Sequence, residues 1–229
     1  MLTGITAVAF DLDGTLYPEY RLNLRLIPFA FRHGPLLAAF GMAREMIRRE
    51  QKRAQTDRPD FYDYQARLTA GILKAQPDRI REKIDRLIYT DWARHFSKIK
   101  LFPHVTEFLD GLRAAKIKTG LLSDFLPHAK LEKLGLSGYW DTVLCSESIG
   151  ALKPARRPFD ELARALDCPP EQILYVGNSR RYDAQGAMRA GMKTALKTNR
   201  FFTGVFSKGN AGANFAFHDY RQLYNFMLR

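Results

Sequence analysis

Two carboxylates separated by one residue, Asp11 and Asp13, follow the apolar run Thr6 to Phe10 and precede Gly14-Thr15. Paired acids at this spacing can share nucleophilic attack and proton transfer between them. The same short pattern is also met as a turn closed by an Asx cap, and the five residues alone do not separate the two readings. Further polar residues end other apolar runs: Ser123-Asp124 after Thr119 to Leu122, and Gly177-Asn178 after Ile173 to Val176.

The elements that must position these residues follow from the periodicity. Thr6–Phe10, Thr119–Leu122, Thr142–Cys145, Ile173–Val176, Lys193–Leu196 and Phe215–Phe217 read as strands. Between them lie helical stretches: one carrying Val105, Phe108, Leu109 and Leu112, then His128–Leu134, then a helix opened by Pro158 with Phe159, Leu162, Ala163 and Leu166 on one face. Asp183–Ala190 reads as a short helix of small residues, and a terminal helix starts at Tyr220. Such alternation predicts an α/β fold, a Rossmann-like, doubly wound, mostly parallel sheet covered on both faces. Ligands of such sheets bind beyond the carboxyl ends of the strands, where Asp11, Asp13, Ser123, Asp124 and Asn178 all fall. From Tyr17 to about Lys100 the pattern is helical instead, with helices over Leu36–Gln55 and Asp60–Leu73. A third starts near Pro77 with Ile80, Ile84, Leu87, Ile88 and Trp92 as its stripe. The division expected is a core of residues 1–16 and 101–229 with an inserted helical cap of residues 17–100.

Four segments recur in order at strand ends or helix entrances: Asp11-Leu12-Asp13-Gly14-Thr15-Leu16, Leu121-Leu122-Ser123-Asp124, Ala151-Leu152-Lys153-Pro154, and Gly177-Asn178 through Asp183-Ala184-Gln185-Gly186-Ala187 to Ala190-Gly191-Met192. Together they resemble the haloacid dehalogenase-like hydrolase superfamily, most of whose members are phosphatases, and the helical block stands where that family carries a small cap. The resemblance implies Asp11 as a nucleophile that forms an aspartyl-phosphate. It implies Asp13 as the acid that protonates the leaving group and later activates water, its protonated form favoured by burial and a nearby like charge. Ser123 and Lys153 complete the implied catalytic set with Asp11 and Asp13. Thr15, Ser123, Asp124 and Lys153 are the expected substrate contacts, with Ser123 bonding a phosphoryl oxygen and Lys153 placing positive charge over Asp11. The expected Mg²⁺ shell is the Asp11 carboxylate, the Asp13 backbone carbonyl, Asn178 and Asp183. Phosphatases of this kind usually carry Gly-Asp where this chain has Gly177-Asn178, so a weaker magnesium site is expected, because that hard cation favours carboxylates. The dehalogenating members resemble Asp-x-Tyr at the first segment, and Asp13 therefore favours phosphoryl transfer over carbon–halogen cleavage.

The chain has 229 residues, 36 Lys+Arg against 24 Asp+Glu, and a net charge of +12. A hydrophobic content of 46% excludes intrinsic disorder, and two cysteines exclude a disulfide scaffold. The five histidines show no pair at metal-ligand spacing. No apolar run escapes a charge for long enough to span a membrane, and Asp11 interrupts the first one, so a cytoplasmic protein without a signal peptide is expected. Residues 18–100 hold 18 Lys+Arg and 10 Asp+Glu, +8 of the total, with Arg44, Arg48, Arg49, Lys52 and Arg53 close together on one helix. The simpler reading of that cluster is a solvated helix face, and the sharper one a cationic lid over an anionic substrate. The expected partner is a small phosphorylated metabolite, with no membrane and no primary role for nucleic acid, and the oligomeric state is left open. The alternatives are a binding protein on a catalytically weakened fold, its basic cap on an anionic partner, or a 2-haloacid dehalogenase.

Overall fold

The computed structural model describes residues 4–54, 58–91, 96, 99–198 and 213–228. Its strands are β1 (Ala7–Phe10), β2 (Lys118–Ser123), β3 (Thr142–Cys145), β4 (Ile173–Gly177), β5 (Lys193–Lys197) and β6 (Phe215–Phe217). They form one parallel sheet in the order β3-β2-β1-β4-β5-β6. The order reverses beside β1, and the crevice at such a reversal is where doubly wound sheets take their ligands. Phe10 pairs with Leu121 on one side and Val176 on the other, so Asp11, Ser123 and Gly177 leave the sheet at one edge.

Alternation along β1 divides the core into two layers. Val8 and Phe10 face a cluster with Phe108 and Leu112 of α5 (Val105–Ala114) and Tyr220 and Leu223 of α10 (Tyr220–Leu228). Ala7 and Ala9 face Phe159 and Leu162 of α8 (Arg156–Leu166), with Tyr175 and Met192. Two small residues on that side leave room for the larger rings and branched chains packed on them.

Between β1 and α5 the described chain is helical: α1 (Glu19–Arg25), α2 (Ile27–Ala54), α3 (Phe61–Leu73) and α4 (Pro77–Ile84), with a π-helical turn over Asp85–Asp91. α1 was not expected from the sequence, and α2 starts nine residues before the expected Leu36. Its early part carries Pro35 and bends at His33, whose φ of −124° is not helical. Proline removes an amide donor and restricts the residue before it, which breaks the local periodicity on which sequence reading depends. Leu36, Phe40, Ala66, Ala70, Ile80, Ile84, Leu87 and Ile88 form a separate core for this block. The stripe read on the third helix is therefore buried, although Trp92 lies outside the described residues, as do His95 and residues 199–212. Among the described residues, no single helix is long and apolar enough to cross a membrane.

The short connecting helices are α6 (His128–Lys133), α7 (Ser146–Ile149) and α9 (Gln185–Arg189). α9 is preceded by a π-helical turn over Arg180–Ala184, where a continuous helix from Asp183 was expected.

Candidate active site

Asp11 follows the last residue of β1, and its amide still bonds the Val176 carbonyl at 2.9 Å, so the sheet ladder fixes its backbone. The side chain is buried and both oxygens are held: Oδ1 accepts from Lys153 Nζ at 2.7 Å and Oδ2 from the Thr15 hydroxyl at 2.8 Å. Burial pushes the Asp11 carboxyl up to about 7, aided by the charges of Asp183 and Asp13 and opposed by Lys153.

Lys153, 3% exposed, is the hub. Its ammonium also donates to Asp183 Oδ1 at 2.7 Å, the Tyr175 hydroxyl at 3.2 Å and the Leu122 carbonyl at 3.3 Å. Burial alone would lower its pKa, but Asp11 and Asp183 hold it well above the ordinary lysine value. Asp183 is fixed from its other side by the Ser179 amide, 2.9 Å from Oδ2. A Cβ on Gly177 would collide with the Asp183 side chain, so the glycine there is what lets the acid reach Lys153. The buried Ser123 hydroxyl caps the turn beyond β2 by accepting from the Phe125 amide at 3.2 Å, which leaves its proton free for an incoming oxygen.

Two expected substrate contacts, Thr15 and Asp124, are engaged elsewhere, and Asp13 has partners that were not expected. Thr15 is fully buried and its hydroxyl is given to Asp11, so it orients the carboxylate instead of meeting a substrate. Asp124 was expected to touch substrate. Its Oδ1 instead accepts from the Lys153 amide at 3.1 Å, while Oδ2 meets Arg48 Nη2 at 2.9 Å and Arg44 Nη2 at 3.4 Å. Burial acts to raise the Asp124 pKa, yet the charges of Lys153, Arg44 and Arg48 hold it below the ordinary carboxylate value. Asp13 was expected as a protonated acid beside Asp11. In the structure it is ion-paired with Lys130 Nζ, at 2.5 and 2.7 Å from its two oxygens, and also accepts from the Tyr17 hydroxyl.

Asp13, Glu19 and Lys130 edge a cavity of about 300 Å³ whose remaining wall includes Ile88, Tyr89, Phe125 and Leu126. Lys130 and Tyr17 were not anticipated. Tyr17 stands four residues after Asp13 and could have been suspected, whereas nothing in the sequence separates Lys130 from Lys133 on α6.

The four expected metal ligands are not gathered into one cluster. Asp11 and Asp183 both point at Lys153, Asp13 is turned to Lys130, and among the described residues no three acidic, histidine or cysteine side chains group as a metal site. Asp183 apart, the expected set is made of donors that suit a hard cation by type. Gly14 has a φ of +81°, and the space its missing Cβ leaves is filled by the Asn178 amide, which lies against the Asp11–Gly14 turn. The Asp11 carboxylate, the Asp13 carbonyl and the Asn178 amide oxygen are by type donors that magnesium accepts, and it is the Asn178 nitrogen that faces Gly14.

The basic helix is no solvated face along its whole length. Arg44 is 4% exposed and reaches Glu147, Gln65 and Asp124, and Arg48 is half-buried with its Nε on the Lys153 carbonyl at 3.0 Å. Only Arg49, Lys52 and Arg53 of the cluster face outward.

A doubly wound parallel sheet with a helical insert after its first strand, and a lysine joining the buried acids Asp11 and Asp183 beyond the strand ends, define an α/β protein of the hydrolase class. The chain belongs to the haloacid dehalogenase-like hydrolase family, whose model matches residues 5–191. It is 32% identical over 200 residues to a glyceraldehyde 3-phosphate phosphatase of Methanopyrus kandleri, covering 83% of this chain and 82% of that protein. It is 27% identical to a ribulose-1,5-bisphosphate 5-phosphatase of Halopiger xanaduensis, covering 83% of this chain and 84% of that one. In fold it is similar to an L-2-haloacid dehalogenase, with a TM-score of 0.68 at 22% identity over 99% of this chain and 100% of the other. A phosphatase from Thermococcus onnurineus is similar too, with a TM-score of 0.63 at 22% identity over 97% of each chain.

Proposed function

We propose that the protein is a magnesium-dependent phosphatase acting on a small phosphomonoester, with residues 17–100 as its cap. The observation that carries the reading is the Lys153 ammonium fixed between Asp11 and Asp183 at the carboxyl edge of the sheet. It holds the Asp11 carboxylate in one orientation and sets positive charge where a phosphoryl group would approach. The phosphatase names of the relatives support the choice of phosphorus as the electrophile.

In this mechanism an Asp11 oxygen attacks phosphorus and the ester P–O bond breaks. The electron pair leaves on the ester oxygen, which takes a proton through Asp13 from the Lys130 ammonium bonded to it. Water, its proton accepted by Asp13, then attacks the aspartyl-phosphate and releases phosphate and the free carboxylate. Ser123 donates to a phosphoryl oxygen, and Thr15 and Lys153 keep Asp11 aligned through both steps. A bound magnesium ion, held by Asp11, the Asp13 carbonyl and Asn178, would offset phosphoryl charge. The departing alcohol would occupy the cavity beside Asp13, whose mixture of Ile88, Phe125 and Leu126 with Glu19 suits a neutral, partly apolar group over a second anion.

The test is a screen of phosphomonoesters, including para-nitrophenyl phosphate, with and without Mg²⁺, on the wild type and Asp11→Asn. Turnover by the wild type and its loss in Asp11→Asn, by about 10³-fold or more, is the expected result. Halide release from a 2-haloacid without metal, with no phosphoester turned over, would replace this reading with dehalogenation.

A further inference from the structure

A second concavity, of about 620 Å³, lies beside the Lys153–Pro154 segment and is separate from the catalytic centre. Neither Asp11, Asp13, Ser123 nor Asn178 lines it. The separation has a simple cause: the Lys153 side chain runs to Asp11, while its backbone carbonyl is capped by Arg48, which lines this other cleft.

The walls are strongly basic. Arg48, Arg49 and Lys52 come from α2, on the helical block. Arg156, Arg157, Arg181 and Arg189 face them from the sheet domain, from α8, the turn before α9, and α9 itself. The one acid in the lining, Asp160, is taken by Arg156 at 3.1 Å. From outside the cleft Glu45 is shared by Arg48 and Arg181, Asp124 also meets Arg48, and Glu161 lies 3.8 Å from Arg157. Among the described residues Arg49, Lys52 and Arg189 have no acidic partner, and all three are exposed. Like charges gathered in a concave, partly desolvated surface repel one another more strongly than on an open face, and an anion there is correspondingly favoured.

The shape and the chemistry narrow the ligand. The volume is that of a small-molecule site, and the cations lie on opposing walls, so one compact anion can be gripped from both. Among the described residues no aromatic side chain lines the cleft, so they offer no platform on which a nucleic-acid base could stack. Single phosphate groups would satisfy only one wall. We propose that this cleft is an effector site for a short polyphosphate chain, free or carried on a nucleotide, which bridges α2 and the sheet domain and holds the helical block against the core. The inference does not depend on the phosphatase reading, because none of its residues takes part in that chemistry.

The experiment is calorimetric titration of the full-length protein with inorganic tripolyphosphate, a nucleoside triphosphate and orthophosphate. It is run on the wild type, on Asp11→Asn, and on the double variant Arg49→Glu/Arg189→Glu. Tripolyphosphate and the nucleoside triphosphate should bind alike to the wild type and to Asp11→Asn if phosphoryl groups alone are read, and the triphosphate alone binding would assign the nucleotide as the source. Orthophosphate should bind at least tenfold more weakly. The double variant should lose roughly tenfold or more in affinity per charge reversed while keeping kcat at saturating substrate, since its charges act on encounter and not on the chemistry at Asp11. The thermal midpoint should rise with tripolyphosphate in the wild type and Asp11→Asn and stay fixed in the double variant, whose own midpoint reports its folding. Unchanged affinity in the well-folded double variant, loss of binding in Asp11→Asn, or tight oligonucleotide binding without tripolyphosphate binding would each overturn the proposal.

Discussion

Asn178 differs from an aspartate only by an amide nitrogen in place of an oxygen, yet that exchange removes a full negative charge from the edge of the turn at Asp11–Gly14. Its amide already lies against Gly14, so a carboxylate there needs no backbone change. Asn178→Asp should tighten Mg²⁺ binding on the order of tenfold, read by calorimetry on the protein without substrate and by the Mg²⁺ dependence of turnover. Equal affinities would remove Asn178 from the metal shell. Glu147 carries a second residue-level consequence. Burial raises its carboxyl to about 7 from an ordinary 4.5, with Asp124 adding to the shift and Arg44 and the Tyr89 hydroxyl opposing it. The folded protein therefore holds a proton that the unfolded chain releases near 4.5, and stability contributed by this group falls as pH rises from about 4.5 to about 7. Glu147→Gln should flatten that slope, making the loss of unfolding free energy between about pH 5 and about pH 8 smaller by on the order of 2 kcal/mol in denaturant titrations. An unchanged slope would show that Glu147 keeps its charge in the folded state. Residues such as these mark the boundary of what could be read beforehand. Asp11, Ser123 and Lys153 stand next to strand ends in recognisable segments. Lys130 reaches Asp13 across 117 positions and Arg44 reaches Glu147 across 103, and local spacing carries no trace of either contact.

The loop that delivers Lys153 is tied to the helical block by Gln51 on α2, whose amide nitrogen donates to the Gly150 carbonyl at 3.2 Å and whose oxygen accepts from the Leu152 amide at 3.1 Å. The Arg58 amide bonds the same Gly150 carbonyl at 3.1 Å. Gly150 itself has a φ of +85°, and a Cβ there would lie 2.5 Å from the Arg58 carbonyl oxygen. A backbone atom cannot swing aside as a side chain can. Gly150→Ala should therefore destabilise the protein by about 1–2 kcal/mol from the left-handed backbone alone and by more from the collision. It should also lower kcat, because the loop that shifts carries Lys153. A variant with wild-type stability would mean that the junction between helical block and core yields easily. Elements of this kind were unevenly legible. The stripe Ile80, Ile84, Leu87 and Ile88 announced its helix, since its four residues share one buried face. α1 did not, because it is seven residues long, lacks a side-chain N-cap and buries only Leu22.

At the scale of the whole molecule, the two layers of the core could be inferred from strands alternating with helices, and Asp11, Ser123 and Gly177 leave the sheet beside the reversal of strand order at β1. Charge is the property that changes meaning in three dimensions. The +8 carried by residues 18–100 is partly consumed by acids outside that block: Arg44 is buried against Asp124 and Glu147, and Arg48 pairs with Asp124. What is left, on Arg49 and Lys52, joins Arg189 across the cleft in a positive field near a site whose acids Asp11, Asp183 and Asp13 are each ion-paired with Lys153 or Lys130. An anionic ester therefore meets net attraction during approach, although the catalytic centre contains several carboxylates. This attraction acts over distances that salt controls, since the screening length shortens from about 30 Å at 0.01 M to about 8 Å at 0.15 M. The buried contacts at Asp11 lie within about 3 Å of their partners and are screened far less. Across that salt range kcat/KM for a dianionic phosphoester should fall by roughly three- to tenfold while kcat changes little, measured as initial rates at constant Mg²⁺. If kcat and kcat/KM fall together, salt acts on the chemistry at Asp11 and not on encounter. If neither changes, the outward charge of the helical block plays no part in capturing substrate.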